Sequence, residues 1–183
     1  MLERGAKVAD VGCGYGASTV VMATAFPRSM FVGFDFHEAS IERANERARA
    51  AGLENLRFEV AAAKHFPGGD YDFIAYFDCL HDMGDPVGAM AHTKKALKRD
   101  GTAMIVEPFA HDALAGNLNP VGRMYYAFST MVCTPASISQ EVGLALGAQA
   151  GPRRLEQVVR EGGFSNFRVA ASTPFNLIIE ARP

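Results

Sequence analysis

The sequence predicts one α/β domain, a mostly parallel sheet with helices on both faces. Three observations carry that expectation. Short apolar stretches of strand character alternate with stretches of helical periodicity. The joins between them are short and marked by Gly, Pro and Asp. A glycine-rich turn, Gly12-Cys13-Gly14-Tyr15-Gly16, directly follows the first strand. The 183 residues, 49% hydrophobic and 21% charged, suit a single globular domain with a sizeable core. No repeat, low-complexity tract or interdomain linker interrupts them.

Residues 6–11 read as the first strand. A helix follows over about Ala17–Phe26, with Val20, Val21 and Ala23 as buried surface, and Pro27 stops it. Met30–Phe34 is the second strand, closed by Asp35. The next helix, about Glu38–Ala51, sets Ile41, Ala44, Ala48 and Ala51 on one face. Its other face carries Glu42, Arg43, Glu46, Arg47 and Arg49, and Gly52 caps it. Leu56–Val60 and Tyr71–Phe77 are the third and fourth strands. A helix over about Pro86–Lys98 leads to a fifth strand at Thr102–Glu107. Near the end, a helix at Pro152–Gly162 precedes strands Phe164–Ala171 and Phe175–Ala181, a hairpin-like ending around Thr173-Pro174. In such a fold a ligand crevice opens at the carboxyl end of the first strand.

Residues 108–151 break the alternation. They hold Asn117-Leu118-Asn119-Pro120, then apolar Met124–Val132, then Val142–Leu146, which two short inserted helices would explain. A connection this long is more often functional than accidental. Its Met124, Tyr125, Tyr126, Phe128 and Met131 either line a pocket over the sheet's carboxyl edge or pack on the sheet.

Charge and composition exclude some classes. The net charge of −2 gives no basic excess for nucleic acid. No apolar run approaches the roughly 20 residues of a membrane span. Glu3, Arg4 and Lys7 are not followed by a signal-peptide core. Cys13, Cys79 and Cys133 lack paired zinc-ligand spacing and read as reduced thiols of a cytoplasmic protein.

A glycine turn after a strand lets backbone approach a ligand closely. Gly12, Gly14 and Ala17 satisfy the dinucleotide pattern G-x-G-x-x-G/A, and Asp35 suits the ribose of either a dinucleotide or another nucleoside cofactor. Two details separate the readings: Gly16 makes the spacing Gly-x-Gly-x-Gly, and Asp10 lies two residues before the first glycine. Val8–Gly16 resembles the first motif of the class I S-adenosylmethionine (SAM)-dependent methyltransferases, and Phe31–Asp35 resembles their second strand with its acid. The resemblance runs from about residue 6 to the C-terminus and implies their Rossmann-like fold with a reversed final strand. It implies SAM as cofactor, with Gly12, Gly14 and Gly16 facing the methionine part and Asp10 near its amino group. Asp35 would bind the ribose and Phe36 lie against the adenine; Phe77, ending the fourth strand, joins this set. The family commonly places an acid after the third strand to contact the adenine amino group. Here Ala62 stands at that place, leaving backbone groups of Ala62 and Ala63 as the contacts.

The segment Phe77–Pro86 leaves the fourth strand on the crevice side with His81 in it. An imidazole there is placed to take a proton from a substrate hydroxyl. The stretch resembles the His-Asp-Trp-x-Asp signature of small-molecule O-methyltransferases of the caffeate and hydroxyindole type: His81, Asp82 and Asp85 match, and Met83 replaces the tryptophan. The resemblance implies His81 as general base and Glu107, ending the fifth strand, as the carboxylate that orients it. Asp78, Asp82 and Asp85 read as solvated loop acids, so no metal site is expected.

The first strand begins five residues into the chain, whereas most relatives have a covering helix upstream and the small-molecule O-methyltransferases add a helical dimerisation domain. A fragmentary chain, or an unusually minimal one, is therefore expected, and with it a homodimer. The leading function is methyl transfer from SAM to a small-molecule hydroxyl. The alternatives are an amine or carbon acceptor, or a non-catalytic SAM-binding module.

Overall fold

The computed structural model describes residues 1–183. After a short 3-10 turn at Leu2–Arg4, the chain forms β1 (Lys7–Val11), α1 (Ala17–Ala25), β2 (Met30–Asp35), α2 (Glu38–Ala50) and β3 (Leu56–Val60). It continues through β4 (Tyr71–Phe77), a 3-10 turn (Leu80–Asp82), α3 (Pro86–Ala96) and β5 (Leu97–Pro108). Past the insertion come α6 (Gly151–Glu161), β6 (Asn166–Ser172) and β7 (Asn176–Arg182). The seven strands lie in the order β3-β2-β1-β4-β5-β7-β6. The first five are parallel, and β7 runs antiparallel to both β5 and β6. This is the expected α/β architecture with its reversed final strand.

The order places the site. From β1 the chain winds outward through β2 to β3, then returns to β4 on the other side of β1. The strand order therefore reverses between β1 and β4, and loops leaving their carboxyl ends diverge to open a crevice. Both central strands are buried on both faces: Val8, Ala9, Asp10 and Val11 in β1, Ile74, Ala75 and Tyr76 in β4. Leu155, Val158 and Val159 of α6 and Ala89 and Met90 of α3 close one core with them. Ile41, Ala44 and Ala48 of α2 pack on Phe58.

Several boundaries differ from expectation. Val21 is 69% exposed, and α1 instead buries Thr19 and Ala23. Ala51 lies past the end of α2 and is exposed. α3 ends at Ala96, because Leu97 takes an extended conformation and begins β5. Phe164 precedes β6 and is a core residue.

The insertion departs most. It forms a 3-10 turn at Leu114–Asn117, then α4 (Pro120–Phe128), a π turn (Ser129–Cys133) and α5 (Thr134–Ile138), run together without a break. Asn119 caps α4, accepting from the Gly122 N–H at 2.9 Å, with Pro120 in the first turn. Val142–Leu146 is not helical: Val142 and Ala145 have φ of 73° and 52°, incompatible with continuing a helix. Met124, Tyr126, Phe128 and Met131 are exposed and lie outside the lining of the cavity at the strand ends. Tyr125 is half-buried, its hydroxyl donating to the Phe175 carbonyl at 2.7 Å.

Candidate active site

A cavity of about 490 Å³ opens beside the ends of β1, β2 and β4. Gly12, Asp35, Phe36, Ala62 and Ala63 line one side. Asp82, Met83, Ala136 and Gln140 line the other, while Lys64, Asp85 and Glu141 ring its mouth. Lys64 Nζ lies 3.2 Å from Asp85 and 2.9 Å from Glu141, joining the loop after β3 to the insertion. Gly14, Gly16 and Phe77 are outside the lining, and Phe77 is half-buried.

The glycine turn is built for two ends. Gly14 has φ 51° and a Cβ there would meet nothing within 4 Å, so its bare backbone faces open space. Its N–H donates to Asp35 Oδ2 at 2.9 Å, tying the turn to the acid that ends β2. Gly16, by contrast, is buried with φ 73°, and a Cβ would run into the Phe58 ring. A side chain here would collide with β3 and α2, so close packing alone requires glycine at this position. At Gly12 a Cβ would stand 2.7 Å from Cys79 Sγ, so the loop after β4 sits directly against this turn.

Asp10 lies fully buried beneath the turn. Its Oδ2 accepts from Ser18 Oγ at 2.8 Å and Thr19 Oγ1 at 2.6 Å, while Oδ1 has no partner. Burial pushes its carboxyl up to about 6, against the pull of those two hydroxyls. A buried carboxylate oxygen without a donor calls for a cation or N–H group from outside the chain. Asp35 holds its own loop, Oδ1 accepting from the His37 N–H at 2.9 Å, and its carboxylate borders the cavity. Phe36, 71% exposed at the cavity wall, is an apolar plate with nothing on it. A ribose and a flat base thus have matching groups in this cavity, Asp35 and Phe36, while the Asp10 carboxylate lies beneath the adjoining turn.

Across the crevice, His81 is 4% exposed and Glu107 1%. His81 Nδ1 is 2.6 Å from Glu107 Oε2, and the Leu80 N–H donates to Glu107 Oε1 at 3.1 Å. His81 Nε2 faces Asp82 Oδ1 at 3.2 Å. Burial pushes the imidazole down, but the Glu107, Asp82 and Asp78 carboxylates outweigh it and hold His81 above its ordinary value. Burial likewise raises the Glu107 carboxyl, against the pull of His81. Asp78 adopts φ 49° and accepts from Asn176 Nδ2 at 3.1 Å. Asp85 has a structural task as the cap of α3, accepting from the Gly88 N–H at 2.8 Å.

Two other histidines make local contacts: His92 Nε2 is 2.9 Å from the Phe66 carbonyl, and His37 Nδ1 is 2.9 Å from Ser40 Oγ. The sequence reading missed Cys133, Gln140 and Glu141. Gln140 accepts from the Gly84 N–H at 3.0 Å and donates to the Asp82 carbonyl at 2.8 Å, stitching the insertion to the His81 loop. Cys133 comes close to His81 and Asp82, one potential ligand atom of each lying within 4.8 Å of the others.

The family model described as a methyltransferase domain matches residues 2–163. The chain belongs to that family. Its fold is the Rossmann-like SAM-methyltransferase fold, and its cofactor is SAM. Among curated relatives, the methyltransferase domain is 29% identical over 131 residues to 27-O-demethylrifamycin SV methyltransferase of Amycolatopsis mediterranei, covering 67% of this chain and 48% of that one. It is 24% identical over 163 residues to malonyl-[acyl-carrier protein] O-methyltransferase of Paenibacillus sp., covering 87% and 55%. The chain thus spans about half the length of the relatives it matches. The solved structure of PigF with SAH superposes with a TM-score of 0.76 at 17% identity, covering 97% of this chain and 50% of that one. No helix is long and apolar enough to cross a membrane.

Proposed function

We propose that this methyltransferase domain transfers a methyl group from SAM to a hydroxyl of a small molecule, with His81 as general base. The observation that carries the reading is the buried His81–Glu107 pair, 2.6 Å apart, at the open end of β4 beside the cavity. Bound SAM supplies an electrophilic methyl group on a sulfonium centre. The ionised Glu107 carboxylate only accepts, so it holds the proton on Nδ1; in the neutral imidazole Nε2, 3.2 Å from Asp82 Oδ1, is then the nitrogen that can take a proton. An acceptor hydroxyl that replaces Asp82 at Nε2 gives up its proton there as its oxygen attacks. Burial of the pair keeps water away and strengthens the Glu107 interaction with the imidazolium that forms. Displacement at a methyl group depends mainly on positioning, so proton transfer matters chiefly for a hydroxyl nucleophile.

The relatives that methylate an oxygen by name support a hydroxyl acceptor, and the three free cysteines support a reducing, cytoplasmic setting. Exposed Phe128, Met131 and Val132 support self-association as part of the same reading. Methyl transfer from labelled SAM to a panel of phenols, other alcohols and amines tests it. Methylation of hydroxyl compounds that collapses in His81→Gln supports the reading. Methylation confined to amines, at equal rates in both proteins, overturns it.

A further inference from the structure

We propose that His81, Asp82 and Cys133 form a binding site for a zinc-like divalent cation, set between the loop after β4 and the helical insertion. One ligand atom from each residue, an imidazole nitrogen, a carboxylate oxygen and a sulfur, lies within 4.8 Å of the other two. His81 Nε2 and Asp82 Oδ1 are 3.2 Å apart. Tetrahedral zinc holds nitrogen and oxygen at about 2.0 Å and sulfur at about 2.3 Å, so its ligand atoms stand roughly 3.3–3.6 Å apart. The His–Asp pair already has nearly that spacing, and Cys133, within 4.8 Å of both, needs a shift of up to about 1.3 Å.

Three features separate this trio from a chance cluster. Asp82 Oδ1 is buried and accepts no hydrogen bond, with His81 Nε2 facing it at 3.2 Å, so a cation between the two would satisfy both. The other nitrogen of His81 bonds to Glu107, which itself accepts from the Leu80 N–H. A carboxylate behind a ligating histidine is the support metal sites use to fix the ring and raise its basicity. Third, Cys133 closes the π turn Ser129–Cys133 and is buried, while its neighbours Met131 and Val132 are exposed. Single π turns inside α-helices recur at functional sites, where the extra residue redirects a side chain.

The donor set selects the cation. Nitrogen, oxygen and sulfur together suit zinc and cobalt, whereas magnesium and calcium prefer oxygen alone. Three protein ligands leave a fourth position for water or another small donor. Access runs past Asp82, which borders the cavity. Loading turns the Cys133 thiol into a thiolate, its proton passing to solvent, and occupies the Nε2 lone pair. Cation binding and proton acceptance at Nε2 therefore exclude each other. Binding stands independently of the acceptor, while silencing of the base rests on the proposed role of His81.

Titration of the full chain with cobalt(II) tests the site through its absorption spectrum. A thiolate-to-cobalt charge-transfer band saturating at one equivalent is expected, bleached when zinc is added. Cys133→Ser should abolish the band while keeping the wild-type melting temperature, and Glu107→Gln should weaken cobalt binding about 10–100-fold. Zinc should raise the melting temperature of the wild type and not of Cys133→Ser. A band that survives in Cys133→Ser would belong to Cys13 or Cys79 and overturn the proposal. So would the absence of any band at a large excess of cobalt.

Discussion

On the cofactor side of the crevice, Asp10, the glycine turn, Asp35 and Phe36 come from one short stretch of chain, a strand, a turn, a helix and a second strand. On the acceptor side the partners come from afar. His81 and Glu107 are 26 residues apart, and Gln140 reaches back 58 residues to the Asp82 carbonyl. The cofactor side is a local motif that folds wherever a βαβ unit folds. The acceptor side exists only once β4, β5 and the insertion have docked. Binding should therefore survive damage to the acceptor side, whereas chemistry should not.

The largest expected effect lies in the chemistry. His81→Ala should lower turnover roughly 10²–10⁴-fold at saturating acceptor, the usual span for a lost general base. Unchanged turnover would reassign His81 to structure and erase the contrast between the two sides.

A smaller effect should follow from the charges around that base. His81 is held above the ordinary histidine value, so it is protonated and unable to accept a proton until the pH passes its raised pKa. The acid limb of the rate profile should accordingly lie above about pH 6.5. Glu107→Gln removes the largest raising influence and should move that limb downward while reducing the plateau. An acid limb that stays in place in Glu107→Gln would separate the two residues functionally.

Asp10 sharpens the comparison from the cofactor side. Its carboxyl is raised to about 6, so the folded state prefers it protonated. This contribution is fully present below the unfolded value near 3.8 and is lost as pH rises through about 6. Asp10→Asn should therefore melt several degrees higher than wild type at pH 8, with the difference shrinking toward pH 4, as thermal melts across that range would show. An unchanged difference across that range would mean that the carboxylate finds a partner of its own.

The glycines should give the smallest effects. Gly16→Ala meets Phe58 and a left-handed backbone, and should melt several degrees lower. Gly14→Ala carries only the backbone cost, about 1–2 kcal/mol, and should fall less. Equal losses in differential scanning calorimetry would contradict the division of the turn into a packed end and an open end.

What was legible in the sequence follows the same divide. The strands, the glycine turn and Asp35 were readable because their signals are local: β-branched and aromatic runs, glycines at fixed spacing, an acid at a strand end. Glu107 as the partner of His81 came from the family resemblance, and the structure gives its basis: β4 and β5 are parallel and end at the same edge, their register pairing Phe77 with Val106. The insertion was readable only in part: Met124–Val132 is helical as expected, Val142–Leu146 is not. Its apolar residues have helical spacing, but spacing does not tell whether a neighbour exists to bury them, and Met131 remains 77% exposed. Nor does spacing reveal a π turn, which is what separates Cys133 from the exposed residues before it. Val21 failed for the same reason: in a helix rich in apolar residues, the buried side is chosen by the sheet.

The division of the crevice is tested most directly by calorimetric titration of S-adenosylhomocysteine into wild type, Asp35→Ala and His81→Ala. Asp35 borders the cavity and ties the glycine turn through the Gly14 N–H. Its loss should weaken binding by about 10–100-fold, the worth of one or two hydrogen bonds to a charged group. His81→Ala should bind within about twofold of wild type, because its partners are Glu107 and Asp82 rather than the glycine turn. Equal loss in both variants, or no loss in Asp35→Ala, would contradict it.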